Sequence, residues 1–210
     1  MPKNFKPLNE IIEEHENYEG ENRRLRSANQ AMKEMILKMK KEGRHDDLTG
    51  LLRLNPFNQL VDKLTKQAKR TGNPLTYLLI DVDKFKEIND KYGYLGANEI
   101  LKSIAEILIN NVRDSDVIGS TRRYVGRFGG DEMQIVLPNT NPKGAKVVGE
   151  RIRDSVEKYF KSIGKDVTIS AGISVYDPES TDLDSPEDLY KLTNSKLSEA
   201  KGKGKNKVIY

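Results

Sequence analysis

The sequence predicts an α+β fold, in which a central, mostly antiparallel sheet is flanked by helices, preceded by a long N-terminal helix. Three observations lead to this prediction. Apolar residues in the first 45 positions recur at alternating spacings of three and four. From Asp46 onward, segments with helical spacing alternate with short runs typical of strands. Charged residues make up 32% of the chain, above the usual share of about 25%, which indicates a segment outside the packed core.

The N-terminal segment, residues 1–45, has the pattern of a coiled coil. Ten residues form an a/d seam, the stripe that faces a partner helix: Leu8, Ile11, His15, Tyr18, Asn22, Leu25, Asn29, Met32, Ile36 and Met39. His15, Asn22 and Asn29 fall at a positions, where buried Asn favours parallel dimers. We therefore expect a homodimer through this helix, which Gly43 ends. The alternative is a single helix packed on its own domain.

Residues 46–210 are expected to form the α+β domain. Helical spacing occurs at 56–70, 98–111, 142–160 and 186–201. Strand patterns occur at 75–80, 117–128, 132–137, 167–176 and 207–210. The strands at 117–128 and 132–137 flank Gly129-Gly130, a pattern typical of a β-hairpin.

Composition and charge exclude several classes of function. With no Cys and two His among 210 residues, the chain has no disulfide and no Zn–thiolate site, so a metal would need oxygen ligands, as Mg²⁺ or Mn²⁺ does. No apolar run reaches the roughly 18–20 residues that cross a bilayer, and we expect a cytoplasmic protein. The net charge of +4 is concentrated at residues 201–210, which contain four Lys and no acid. This argues against nucleic acid as a partner and indicates a local anchor for phosphates.

Two places along the chain concentrate carboxylates where burial makes them costly. Asp81 directly follows the apolar strand at 75–80, and Asp131 and Glu132 lie on the Gly-Gly hairpin. If these strands are neighbours, Asp81 and Asp131 converge, and converging carboxylates repel each other unless a cation joins them. The pair therefore predicts a divalent metal of the kind used in phosphoryl transfer. The alternative is that Asp81 and Asp83 only cap the following turn.

Five motifs, in the same order, resemble those of the GGDEF family of diguanylate cyclases and cover residues 46–210. They are Asp47-Leu48-Thr49-Gly50-Leu51, Asp81-Val82-Asp83-Lys84-Phe85-Lys86-Glu87-Ile88-Asn89-Asp90, Arg127-Phe128-Gly129-Gly130-Asp131-Glu132-Met133, Thr168-Ile169-Ser170-Ala171-Gly172-Ile173-Ser174 and Ala200-Lys201-Gly202-Lys203-Gly204-Lys205-Asn206. The resemblance implies a palm-like α+β fold. It also implies that two GTP molecules are joined into cyclic di-GMP with release of pyrophosphate.

The resemblance implies a metal site and a reacting group. Asp81 and Asp131 would bind Mg²⁺, helped by the backbone carbonyl of Val82. Glu132 would lie beside the reacting 3′-hydroxyl, and which group accepts the proton stays open. Each protomer would hold one nucleotide, so two domains must face each other, and the N-terminal coiled coil would bring them together.

The resemblance also implies how the nucleotide is held. The backbone N–H groups of Lys84 and Phe85 would bind the β- and γ-phosphates. Lys201 and Lys205 would neutralise the triphosphate, although the family usually has Arg at the second position, so a bidentate contact is lost here. Asn89 would form a hydrogen bond with guanine.

One departure from the family concerns base choice. Where the family has Gly-His-x-x-Gly-Asp, this chain has Gly93-Tyr94-Leu95-Gly96-Ala97-Asn98, so Asn98 replaces an Asp that binds guanine. A carboxylate accepts from both guanine donors, whereas a carboxamide sets one donor against another, at a cost of about 1–3 kcal/mol. The amide fits the adenine edge better. Relaxed specificity, a mixed GMP–AMP product, weaker GTP binding and a helix-capping role for Asn98 all stay open.

Other departures concern packing, a turn and a second site. Met133 replaces the final Phe of the signature, a packing position that Met fills well. Arg53-Leu54 replaces Asn-Arg and changes the support of the preceding turn. Arg113 and Asp116 match the Arg-x-x-Asp product-inhibition site, but an insertion of about seven residues at 119–125 alters its spacing. The alternative for this pair is a solvated ion pair.

The sequence therefore predicts a Mg²⁺-dependent nucleotidyl cyclase of the GGDEF type, with a helix over residues 1–45 and the cyclase domain over 46–210. The same chemistry with ATP as one or both substrates is one alternative. Another is an inactive domain that binds nucleotide or cyclic dinucleotide and regulates a partner. The metal ligands and phosphate-binding residues retained in the motifs argue against loss of activity.

Overall fold

The computed structural model describes residues 43–112, 124–179 and 185–210, together with residues 7, 18–19, 22–27, 29–30 and 32–34 of the N-terminal segment. The chain divides into two units, Met1–Gly43 and Arg44–Tyr210. In the first unit, residues 18–19, 22–27, 29–30 and 32–34 are helical. The remaining residues of the predicted seam, among them His15, lie outside the described residues. Among the described residues, no helix is long and apolar enough to span a bilayer.

The second unit is built on a six-stranded sheet with the order β1-β3-β4-β2-β5-β6. Its strands are β1 (Leu52–Arg53), β2 (Leu75–Val82), β3 (Val125–Gly129), β4 (Glu132–Pro138), β5 (Ile169–Tyr176) and β6 (Val208–Ile209). The four inner strands are antiparallel to one another, and each short edge strand is parallel to the inner strand beside it. Every residue of β2 is buried, as the apolar run at 75–80 predicts for a central strand. The predicted α+β class is confirmed.

Four helices cover the two faces of this sheet: α1 (Leu54–Thr71), α2 (Phe85–Asn111), α3 (Pro142–Ser162) and α4 (Pro186–Gly202). On one face, Gly126 lies against Phe57 of α1, and Gly172 lies against the backbone of α4. A Cβ atom at Gly172 would be 2.2 Å from the carbonyl oxygen of Thr193, so α4 packs directly on the strand backbone. On the other face, α3 packs on Ile173. The core therefore lies on both sides of β2.

Helix α2 is longer than the sequence predicts and is interrupted at Gly93. It begins at Phe85, whereas helical spacing predicts a start at Asn98. Gly93 has φ 68° and ψ 173°, a conformation that side chains with a Cβ rarely adopt. Asn98 therefore lies inside the helix, past the break, and the helix-capping interpretation of this residue is wrong.

The hairpin before the signature differs from the prediction at its beginning. The first strand is predicted from residue 117, but among the described residues it starts at Val125. Residues 113–123 lie outside the described part of the chain, and they include Arg113 and Asp116 of the predicted inhibitory site. The last predicted strand, 207–210, is shortened to Val208–Ile209.

Candidate active site

The end of β2 and the β3–β4 hairpin bring the predicted carboxylates to one edge of the sheet. Asp81 is directly opposite Glu132 in the antiparallel pairing of β2 with β4, and Asp131 precedes Glu132 in the turn. Gly130 has φ 54°, so the tight turn needs the glycine that the signature supplies. The two strands are therefore neighbours in the sheet, which is the condition for the carboxylates of Asp81 and the hairpin to come together.

Asp81 is the most perturbed carboxylate at this edge. It is 7% exposed, and its Oδ2 lies 2.8 Å from the Nζ of Lys201. Burial, together with the nearby charges of Asp131 and Glu132, raises the pKa of Asp81 to about 6 against the opposing effect of Lys201. The site thus holds more negative charge than Lys201 alone neutralises.

The oxygen donors at this edge fit a magnesium ion. Among the described residues, no group of three or more His, Cys, Asp or Glu side chains forms a metal cage. Mg²⁺ is commonly bound by one or two carboxylates and completed by substrate phosphates, so two carboxylates suffice. Asp81 and Asp131, with the backbone carbonyl of Val82 at the strand end, provide hard oxygen donors with excess negative charge.

The start of α2 lies directly after the carboxylate edge. Lys84 precedes the helix with φ 56°, and Phe85 is the first helical residue. The first N–H groups of an α-helix have no acceptor within the helix and carry the positive end of its dipole. The Lys84 side chain forms an exposed ion pair with Glu87 at 3.6 Å. This helix start is suited to bind phosphate groups.

Lys205 faces the same region from the C-terminal segment. A cavity of about 260 Å³ is lined by both Lys84 and Lys205. Lys205 has φ 63° and lies just after the end of α4, whose last turn holds Lys201. Within the described ranges no ion pair engages Lys205, so its ammonium is free for a ligand.

Asp83 connects three chain segments next to the carboxylate edge, a role that the sequence pattern does not predict. It is 5% exposed and accepts three hydrogen bonds: from the hydroxyls of Thr168 at 2.7 Å and Ser170 at 2.6 Å, and from the backbone N–H of Asn206 at 2.9 Å. The last contact fixes the turn that carries Lys205. Asp83 therefore joins the end of β2 to the turn that carries Lys205. Its partners are 85 to 123 residues away in sequence, and local spacing gives no signal for such contacts.

The two predicted base-binding residues lie on different halves of α2. Asn89 is half-buried, and its Nδ2 donates to the carbonyl oxygen of Phe85 at 3.2 Å. With the nitrogen engaged, the amide oxygen of Asn89 stays available as a hydrogen-bond acceptor. Asn98 is half-buried on the second half, beyond Gly93.

A side-chain network ties the signature hairpin to the turn before β1. The Arg127 guanidinium donates to the carbonyl oxygen of Gly130 at 2.6 Å and to Asp46 at 2.9 Å. Burial works to raise the pKa of Asp46, but hydrogen bonds from Thr49 and Arg127 outweigh it and hold this pKa below its usual value. Arg53 supports the same turn by donating to the carbonyl oxygen of His45 at 2.7 Å. The turn is therefore supported by Arg53, although this residue departs from the family pattern.

A larger cavity of about 410 Å³ is lined by residues of α1 and α4. Its walls are mostly apolar and include Leu54, Val61 and Tyr77. Phe128, next to the signature glycines, stacks on Tyr190 there with ring centroids 5.7 Å apart. This cavity contains none of the predicted site residues.

A palm-like sheet with acidic groups on a central hairpin, beside a helix start suited to phosphate, defines a nucleotide-binding class of protein. The chain matches the family model described as "Diguanylate cyclase, GGDEF domain" over residues 43–207. The chain therefore belongs to the GGDEF family, as its motifs predict.

Several characterised proteins are similar to this chain. The diguanylate cyclase DosC of Escherichia coli K12 is 36% identical over 163 residues, and the response regulator PleD of Caulobacter vibrioides is 36% identical over 169 residues. Both alignments cover 78% of this chain but 34% and 35% of those proteins, so the chain spans about a third of their length.

Among solved structures, the coiled coil and GGDEF domain of DgcB from Caulobacter crescentus, in complex with c-di-GMP, has a TM-score of 0.75 to this chain. It is 19% identical and covers 91% of this chain and 98% of its own. This similarity concerns the fold.

Proposed function

We propose that this chain is a Mg²⁺-dependent diguanylate cyclase that condenses two GTP molecules into cyclic di-GMP, releasing one pyrophosphate for each bond formed. The observation that carries the proposal is the carboxylate edge, in which buried Asp81 faces half-buried Asp131 and Glu132, beside the helix start at Lys84. Membership of the GGDEF family and 36% identity to DosC and PleD support the same reaction class.

The residues of the proposed metal and phosphate sites have different roles. Asp81, Asp131 and the carbonyl of Val82 would hold Mg²⁺, which when bound stabilises charge on the α-phosphate. The N–H groups of Lys84 and Phe85 would hold the β- and γ-phosphates at the positive end of α2. Lys201 and Lys205 add positive charge on the other side of the triphosphate (as point charges, since neither is the Arg that would bind two oxygens).

Bond formation requires a second protomer. The 3′-hydroxyl oxygen of one GTP attacks the α-phosphorus of the other and gives up its proton to a base or to water. The bond from that phosphorus to the bridging oxygen breaks, and pyrophosphate leaves with its electron pair. Glu132 would lie beside the attacking hydroxyl and orient it. The same event with the roles exchanged closes the ring. Each domain therefore holds one GTP, whose 3′-hydroxyl reacts with the α-phosphorus of the GTP held by the other domain.

The N-terminal helix would supply the second protomer. Tyr18, Leu25 and Met32 recur every seven residues at d positions, and they are 66%, 56% and 63% exposed. A dimer through this stripe would bury them and raise the effective concentration of one domain near the other. The variant Leu25→Asp should therefore dissociate the dimer and lower the rate per chain, with partial recovery at high protein concentration.

Asn98 supports a second version of the same reaction. Its carboxamide pairs less well than a carboxylate with guanine and better with adenine, so ATP would be used as one or both substrates.

Arg113 and Asp116 would form a product-binding inhibitory site in either case. Product inhibition then predicts that Arg113→Ala raises the rate at high cyclic dinucleotide.

The proposal is tested by mass spectrometry of the products formed with Mg²⁺ and GTP, ATP or an equimolar mixture. Cyclic di-GMP from GTP, little changed by ATP, is the expected result. A mixed or adenine-only product would replace guanine specificity by the alternative that Asn98 favours. Bound nucleotide with no product under any condition would refute the enzyme and favour a regulatory nucleotide-binding domain.

A further inference from the structure

The contact between Lys201 and Asp81 is the feature of the site that the proposed reaction does not use. Lys201 lies in the last turn of α4, and its Nζ is 2.8 Å from Oδ2 of Asp81. The side chain of Asp81 is 10% exposed and that of Lys201 is 37% exposed, so the carboxylate is shielded from water while the lysine retains access to solvent. Water therefore screens this pair less than it screens a surface pair, and loss of one partner would leave a buried charge uncompensated.

Lys201 and a divalent cation would compete for the carboxylate of Asp81. An ammonium at hydrogen-bond distance neutralises the carboxylate and repels a second cation that approaches it. A metal ion can bind with full strength only when Lys201 moves away. Lys205 is a suitable comparison, because it lies four residues further on, lines the cavity beside Lys84 and has no ion-pair partner within the described part of the chain.

A bound triphosphate changes the balance for Lys201. It brings several negative charges next to α2, and an ammonium on a flexible four-carbon side chain can exchange a single carboxylate for them. The metal then gains both a free Asp81 and phosphate oxygens as further ligands. Leaving Asp81 unpaired would otherwise cost free energy, because its acidic neighbours Asp131 and Glu132 repel it.

We propose that Lys201 excludes the divalent cation from Asp81 in the nucleotide-free protein and releases this carboxylate when the triphosphate binds, so that metal and nucleotide bind cooperatively. The inference rests on the proposed function, since it takes the metal and triphosphate sites as assigned there. Coupling of this kind is reciprocal, so the metal strengthens nucleotide binding by the same factor. Substrate-free protein would then stay nearly metal-free.

The experiment measures Mn²⁺ binding to the full chain by electron paramagnetic resonance, without and with a non-hydrolysable GTP analogue. Lys201→Met should raise Mn²⁺ affinity about tenfold in the absence of nucleotide, because it removes the competing cation. It should also reduce the factor by which the analogue enhances Mn²⁺ binding. Lys205→Met is the matched control, and without nucleotide it should bind Mn²⁺ as the unchanged protein does.

Two further variants make the result decisive. Lys201→Arg keeps the positive charge and should keep the low affinity of the nucleotide-free protein for Mn²⁺, which a loss of packing alone would not explain. Asp131→Asn should abolish the Mn²⁺ binding that Lys201→Met reveals. If Mn²⁺ binds in an Asp131-dependent way but Lys201→Met leaves its affinity unchanged or lowers it, the exclusion by Lys201 is refuted while the metal site stands. If no variant shows Asp131-dependent Mn²⁺ binding with or without the analogue, the proposed metal site itself fails.

Discussion

Two carboxylates at the end of β2, Asp81 and Asp83, are 7% and 5% exposed, yet their surroundings are opposite. Asp83 accepts three hydrogen bonds, from Thr168 just before β5, from Ser170 of β5 and from the C-terminal turn. Asp81 has a single lysine partner and faces the acidic hairpin, and its pKa is raised to about 6 by burial and by these acids. A buried carboxylate that is fully hydrogen-bonded stabilises the fold, whereas one that faces other carboxylates destabilises it and is suited to bind a cation.

The substitution Asp81→Asn tests the destabilised member of the pair and has the largest expected effect. Turnover of GTP should fall by a factor of about 10³ or more, since a metal ligand is lost. Thermal unfolding should nevertheless shift upward by about 2–4 °C near neutral pH, because an unfavourable buried charge is removed.

The pH dependence follows from the raised pKa of Asp81. The folded chain binds this proton more tightly than the unfolded chain, so the unchanged protein loses stability as pH rises from about 4 through about 6. Asn does not ionise, and the stability advantage of Asp81→Asn should therefore be complete above that window and vanish below it. Calorimetry across the window checks this, and a variant less stable than the unchanged protein near neutral pH would contradict the contrast.

The substitution Asp83→Ala tests the stabilising member. Three donors would lose their acceptor, and we expect the free energy of unfolding in urea to fall by about 3 kcal/mol. Ser170→Ala removes one of these bonds and should cost about 1 kcal/mol. An unchanged unfolding midpoint for Asp83→Ala would show that this carboxylate does not hold the C-terminal turn.

The substitution Asn98→Asp asks whether a new half-buried carboxylate acts on the ligand or on the fold. If Asn98 contacts the base, the ratio of kcat/KM for GTP to that for ATP should rise about tenfold to a hundredfold, since both guanine donors gain an acceptor. Asn98→Ala offers no acceptor and should lower both values. A ratio unaffected by Asn98→Asp removes this residue from the base site.

The smallest expected effect concerns Asp46, a third carboxylate that resembles Asp83. Its pKa is lowered, so the stability it contributes is present above the pKa of the unfolded chain and lost as pH falls through the lower folded value. Asp46→Asn should therefore cost about 1 kcal/mol at neutral pH in urea unfolding, and less in acid. Asp47 is 89% exposed in its ion pair with Arg53, so Asp47→Asn is the control and should change nothing measurable. Equal effects of the two variants would contradict the distinction.

The parts of the fold that sequence predicts are those with local periodicity. The all-buried strand β2 and helices α1, α3 and α4 have clear apolar spacing, and the glycines mark the hairpin. The two-residue strand β1 is too short to carry a period, and the first half of α2 escapes prediction because Gly93 interrupts its pattern.

The site divides in the same way. The neighbourhood of Asp81 and the hairpin follows from the motifs, because each carboxylate stands beside a recognisable strand or turn. The contact of Lys201 with Asp81 and the contact of Asn206 with Asp83 join residues more than a hundred positions apart. Such pairings depend on how α4 crosses the sheet, and a linear pattern does not contain that information.

The interruption of α2 affects how the two predicted base-binding residues are arranged around a ligand. Asn89 and Asn98 are nine residues apart, and at about 3.6 residues per turn an unbroken helix would direct them to opposite sides. The left-handed torsion at Gly93 releases the second half of the helix from this angular rule. The two amides are then not confined to opposite sides, so one backbone torsion decides whether both can face the same ligand.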